Sequence, residues 1–299
     1  MSMTAKFQRL KPFMLPLAMA GGALFYPWMG YVQFLSPYLI FGMLFITYCR
    51  LDFRHIRLER FQWVLLAVQM TAAAAAYLSL AWLDHTLAEG VFICVFIPTA
   101  TAAPVICQML GGSLPKLATY SLLCNVTVAL TGPVVLAAIG DTQYTFFESF
   151  LKIMKMVMPL LLGPLLAAWL LMKGFPKLHA KVRDHQSVSF YMWAISLFII
   201  VGGCVSFIIK NFDINNVATM GWLALGSLAV CLFQFKIGRR VGRRYGDAVS
   251  GGQGMGQKNT VLAVWIALAY MNPVASVAPA SYIAWQNIIN SWQIMRNKG

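Results

Sequence analysis

The chain has 299 residues, 60% of them hydrophobic and 11% charged, with a mean hydropathy of +0.70. A soluble globular domain carries roughly 25% charged residues, so the composition excludes one and points to a polytopic membrane protein. In a soluble chain the net charge of +14 would suggest nucleic acid. Here it is read as a signal of membrane orientation, and no nucleic-acid partner is expected.

Lys6, Arg9 and Lys11 precede the first apolar run, which has no small-residue cleavage pattern and reads as a first span rather than a cleaved leader. Runs long enough to cross roughly 30 Å of hydrocarbon fall at about 12–28, 32–49, 61–83, 90–110, 118–139, 151–172, 189–210, 218–235, 246–270 and 273–294. The loops are short, and no linker divides the chain, so residues 1–299 read as one membrane unit. With a cytoplasmic N-terminus, nineteen of the 23 Lys and Arg fall in inside segments. Lys152, Lys155 and Lys210 lie outside, and Lys258 lies within the membrane. That positive-inside bias predicts ten spans with both termini in the cytoplasm of a bacterial inner (plasma) membrane.

Ten spans divide into five and five, over about 12–139 and 151–294. Five is odd, so the halves insert in opposite senses and spans four and nine become equivalent members of an inverted repeat. Each carries a break. Span four holds Pro98-Thr-Ala-Thr-Ala-Ala-Pro104, and proline removes a helix hydrogen bond and clashes with the preceding turn. Span nine holds glycines 251, 252, 254 and 256, each weakening a helix by roughly 1 kcal/mol relative to alanine. The backbone is expected to unwind around Pro98 and Pro104 and around Gly254 and Gly256. Ordinary kinks in lipid-facing helices are the alternative.

All nine acidic residues and all four histidines fall in loops or at span ends. The six cysteines lie in or beside apolar stretches without CxxC spacing, so they read as small packing residues, with no metal or cofactor site. Lys258 is the charge placed inside the membrane, either facing a cavity or snorkelling to the cytoplasmic surface. Polar groups that could share a cavity with it are Gln257, Asn259 and Thr260 on span nine and Thr99 and Thr101 on span four. Asn125, Thr127 and Thr131 on span five and Gln69 and Thr71 on span three could join them. Pro104 belongs to the same candidate site through the span-four break.

Gly256-Gln-Lys-Asn-Thr-Val-Leu-Ala263 resembles the ninth-span signature of the bile acid:sodium symporter family, a glutamate followed by Gly-x-Gln-Asn-Ser/Thr-x-Leu-Ala. Pro98–Val105, Gln69 and Trp285-Gln-Asn287 sit where that family has related residues, so the likeness covers nearly the whole chain. The resemblance implies a panel domain (spans one, two, six and seven) and a core domain (spans three to five and eight to ten). Spans four and nine would cross at their breaks in that core, and alternating access would carry organic anions, such as bile acids or small carboxylates, with sodium. In this register the family's sodium-binding glutamate falls on Gly254 and the following glutamine on Lys258, while the span-four serine and asparagine fall on Ala103 and Pro104.

The expected function is therefore secondary transport of small organic anions by a monomer, without sodium, the lysine supplying the charge that sodium supplies in relatives. An ammonium that holds its proton beside the substrate and sheds it when the cavity empties would couple transport to protons. Alternatives are a sodium-coupled symporter, a membrane-embedded enzyme and a channel.

Overall fold

The computed structural model describes residues 17–50, 57–100, 103–140, 145–210 and 214–297. Helical backbone runs over 17–24 (α1), Tyr26–Val32 (α2), Ser36–Cys49 (α3), Arg60–Leu80 (α4), His85–Phe96 (α5) and Ala103–Met109 (α6). It continues over Leu114–Ile139 (α7), Phe146–Gly174 (α8), Pro176–Asp184 (α9), Gln186–Lys210 (α10) and Ile214–Arg244 (α11), then Ala248–Gly256 (α12), Thr260–Tyr270 (α13) and Val277–Asn297 (α14). Among the described residues, five stretches are long and apolar enough to cross a membrane: Tyr26–Cys49, Arg60–Leu80, Leu114–Ile139, Phe146–Gly174 and Val217–Arg244. The protein is an all-α, multi-pass membrane protein.

Among the described residues, helix occupies most of the apolar runs read from the sequence, but two local expectations are corrected. The gap expected between the first two spans, near 29–31, is helical; the irregular points are instead Phe25 and a 3₁₀ turn at Gln33–Leu35. The glycine run does not unwind either. Gly251, Gly252, Gly254 and Gly256 all lie within α12, and the interruption falls just after them, at 257–259. The reason is packing. Cβ atoms at Gly251 and Gly238 would overlap each other's carbonyl oxygens, and one at Gly256 would strike the Phe235 ring. The glycines let α12 press onto α11, as small residues do between membrane helices. Gly246, at φ +76, makes the tight turn between these two helices.

Around this pair the helices form one packed body. α12 also packs on α6 and α7, α11 on α5 and α14, and α4 on α5 and α7. On the other side α3 packs against α8 and α10, and α2 against α10. Two helical rods, α5–α6 and α12–α13, are interrupted in mid-course, and α4, α7, α10, α11 and α14 pack against them.

Candidate functional site

The first interruption follows from proline chemistry. Ile97, before Pro98, takes the extended conformation that a residue preceding proline prefers (φ −57, ψ 147), which ends α5 at Phe96. Pro104 sits in the first turn of α6, where its missing N–H leaves no bond unmade. The second interruption has no proline. Asn259 caps α13 through its side-chain oxygen, which accepts from Leu262 N at 3.3 Å, and the preceding residues are extended.

The two interruptions cross. Thr99 and Lys258 pair as one antiparallel bridge: Ala100 N donates to Gln257 O and Asn259 N to Pro98 O, both at 2.9 Å. Backbone buried in a membrane protein needs a partner for every polar group, and these bonds supply part of the set. Side chains supply more. Gln69 Nε2 donates to Phe96 O (2.9 Å) and Ile97 O (3.1 Å), Thr99 Oγ1 to Gly254 O (2.8 Å), and Tyr282 OH to Gly256 O (2.8 Å). Gln286 Oε1 accepts from Lys258 N at 3.0 Å. Gln234 Nε2 bonds Cys94 O (3.2 Å) and Tyr282 OH (3.0 Å), and Tyr120 OH donates to Gln69 Oε1.

Lys258 lies at the centre of this network and is only 1% exposed. Its Nζ donates to Ile97 O, at the C-terminal end of α5, at 3.1 Å. It does not snorkel. Its ammonium has three donors, and the Ile97 carbonyl is its one protein partner among the described residues. The ion pairs found among those residues, His85–Glu89 and Arg183–Asp184, do not involve it. Three further polar atoms are buried without a hydrogen-bond partner among the described residues: Gln257 Oε1, Asn259 Nδ2 and Asn125 Oδ1.

Of the residues expected to share the site, the structure joins Gln69, Thr99, Gln257, Lys258, Asn259 and Thr260. Thr260 enters through Gln286 Nε2 at 3.4 Å from its hydroxyl. Asn125 is buried beside Cys124, whose thiol reaches Gln69 Oε1 at 3.3 Å, but Asn125 Nδ2 bonds its own helix at Ser121 O. Thr71, Thr127 and Thr131 are a correction: each hydroxyl turns back to a carbonyl of its own helix (Ala67, Leu123 and Thr127 respectively), so none joins the network. Thr101 and the basic residues Lys6, Arg9, Lys11, Arg54 and Lys298 lie outside the described residues.

Tyr120, Tyr282 and Gln234 were not anticipated. A signal for the two tyrosines exists in the sequence: Tyr120-x4-Asn125 and Tyr282-x4-Asn287 repeat in α7 and α14, and both asparagines bond the carbonyl four residues back. Comparison with protein-family models finds no match, and comparison with curated proteins finds none either.

Proposed function

We propose that this protein is a secondary transporter of small organic anions, and that the anion binds beside Lys258 where the two interrupted helices cross. The observation that carries this reading is the buried ammonium with one carbonyl partner and no carboxylate partner among the described residues. Ionisable groups inside membranes are costly and mark substrate or ion pathways, and an ammonium with donors to spare recognises an anion. The unpartnered Asn259 Nδ2 is a second donor at the same break. Irregular backbone near mid-membrane is where transporters hold substrates and coupling ions.

Fewer oxygens are offered to sodium than the resemblance implies, the buried unpartnered ones named above being Gln257 Oε1 and Asn125 Oδ1. Backbone carbonyls at half-helix C-terminal ends are typical sodium ligands in transporters, and here the Ile97 carbonyl is taken by Lys258 Nζ and Gln69 Nε2. The positions corresponding by resemblance to the symporter family's sodium ligands hold Gly254, Ala103 and Pro104, with no side-chain oxygen. A side chain at 254 would meet the Tyr120 ring at 2.8 Å. Transport is therefore read as sodium-independent, with the lysine as a tethered cation.

The ten-span inverted repeat with panel and core domains belongs to the same reading, and matched interactions support it. Thr99 and Lys258 each reach a carbonyl near the C-terminal end of the first helix of the opposite rod, α12 and α5 respectively. Asp84 caps α5 as Asp247 caps α12. Glu89 on α5 accepts from Asn272 N after α13 at 2.9 Å, and Asp247 before α12 accepts from Ser113 N after α6 at 2.8 Å.

A thermal-shift screen of the purified protein against small organic acids, with sodium or with choline, tests the reading, because a ligand stabilises the state it binds. At least one acid should stabilise the wild type equally in both cations and leave Lys258→Met unshifted. Stabilisation by no acid, or only in sodium, would overturn it.

A further inference from the structure

One exposed face of α11 changes character along its length. Trp222, Leu225, Leu232 and Phe233 are exposed on it over about three turns. Lys236, Arg240, Arg243 and Arg244 then continue the same face at spacings of three and four residues. At 1.5 Å per residue, the apolar part from 222 to 233 is about 16 Å long and the basic part from 236 to 244 about 12 Å. The apolar length is close to one leaflet of a hydrocarbon core of about 30 Å.

Helix α14 repeats the pattern alongside. Ile288 and Trp292 are exposed, and the Arg296 guanidinium lies 5.4 Å from the Trp292 ring centre. The two helices run parallel, since Trp285 Nε1 bonds Ala224 O (3.2 Å) and Arg239 bonds Gln293 Oε1 (2.9 Å). Their basic ends therefore lie at one level. Neither helix contains an acidic residue. A pure orientation signal requires only that basic residues lie near the end of a span, on any face. Here Arg239 turns inward to Gln293 while the other four share one outward face below which the surface is apolar.

We propose that the ends of α11 and α14 form a binding surface for an anionic phospholipid, the headgroup phosphate held by Arg240, Arg243, Arg244 and Arg296 and the acyl chains lying along the apolar stripe. Arginine forks match phosphate oxygens, and basic residues next to a span attract anionic lipid by an amount worth about fivefold in affinity per charge.

The test is thermal unfolding and native mass spectrometry of the full chain in detergent with phosphatidylglycerol, with phosphatidylcholine or with inorganic phosphate. Phosphatidylglycerol should raise the unfolding temperature and remain bound to the monomer, while the other two should not. The triple variant Arg240→Gln/Arg243→Gln/Arg244→Gln should lose that rise and keep the wild-type unfolding temperature in phosphatidylcholine, and the triple lysine variant should recover much of it. Equal shifts with both lipids, an equal shift with inorganic phosphate, or a glutamine variant that keeps the full phosphatidylglycerol shift would overturn the proposal. So would a lipid-free dimer closed through this face.

Discussion

Replacing Lys258 by methionine separates two roles that a buried lysine can have. A structural lysine whose ammonium holds the fold together would lose stability on replacement. A lysine kept for an anion is a desolvated charge, and an apolar side chain of similar length leaves stability unchanged or raises it by about 1 kcal/mol or more. The expectation is that Lys258→Met folds, unfolds thermally no lower than the wild type, and no longer binds organic acid; a large fall in unfolding temperature would assign the lysine to structure. Gly254 gives a second residue-scale expectation. A Cβ there would lie 2.8 Å from the Tyr120 ring, so Gly254→Ala should destabilise by about 1–3 kcal/mol through overpacking. In a double-mutant cycle, Gly254→Ala should cost less in a Tyr120→Leu background than in the wild type, since the ring it meets is gone. Lys258 itself was legible in the sequence as a charge inside an apolar segment. Its carbonyl partner was not, because Ile97 stands 161 positions away and offers only backbone.

At the scale of elements, the break in span four was legible because proline acts locally: Pro98 fixes the conformation of Ile97 and Pro104 opens α6. The break in span nine was legible as an event but misplaced by a few residues. Helix propensity treats glycine as a weak point, whereas α12 uses its glycines as contact surface against α11, and tertiary packing outweighs roughly 1 kcal/mol per residue of propensity. What interrupts that rod is the Thr99–Lys258 bridge and the Asn259 cap, and the bridge needs the other rod to be present. Gly251→Ala should thus cost about 1–3 kcal/mol, because its Cβ would overlap the Gly238 carbonyl. Gly221→Ala, in α11 with nothing within 4 Å of the added atom, should be neutral or stabilise by up to about 1 kcal/mol. Chemical or thermal unfolding of the two variants side by side checks the contrast; equal effects would remove the packing explanation.

At the scale of the whole molecule, the membrane class followed from composition, with 11% charged residues, and its all-α character from apolar runs long enough to span as helices. The pairing of the two rods did not follow from composition; it emerges only when residues some 160 positions apart meet. The ten-span topology can be tested by labelling single cysteines, aided by the six native cysteines, all of which are buried. Leu83→Cys should label from outside intact cells and Leu178→Cys only after permeabilisation; the reverse would invert the orientation read from the basic residues. The transport reading itself is tested most directly by uptake of a stabilising organic acid into proteoliposomes under an imposed substrate gradient. With choline or potassium in place of sodium, the wild-type rate should be unchanged, and Lys258→Met should reduce it to the level of empty liposomes. A steep, saturable dependence on sodium in the wild type, or full transport by the methionine variant, would contradict a tethered cation at the crossing.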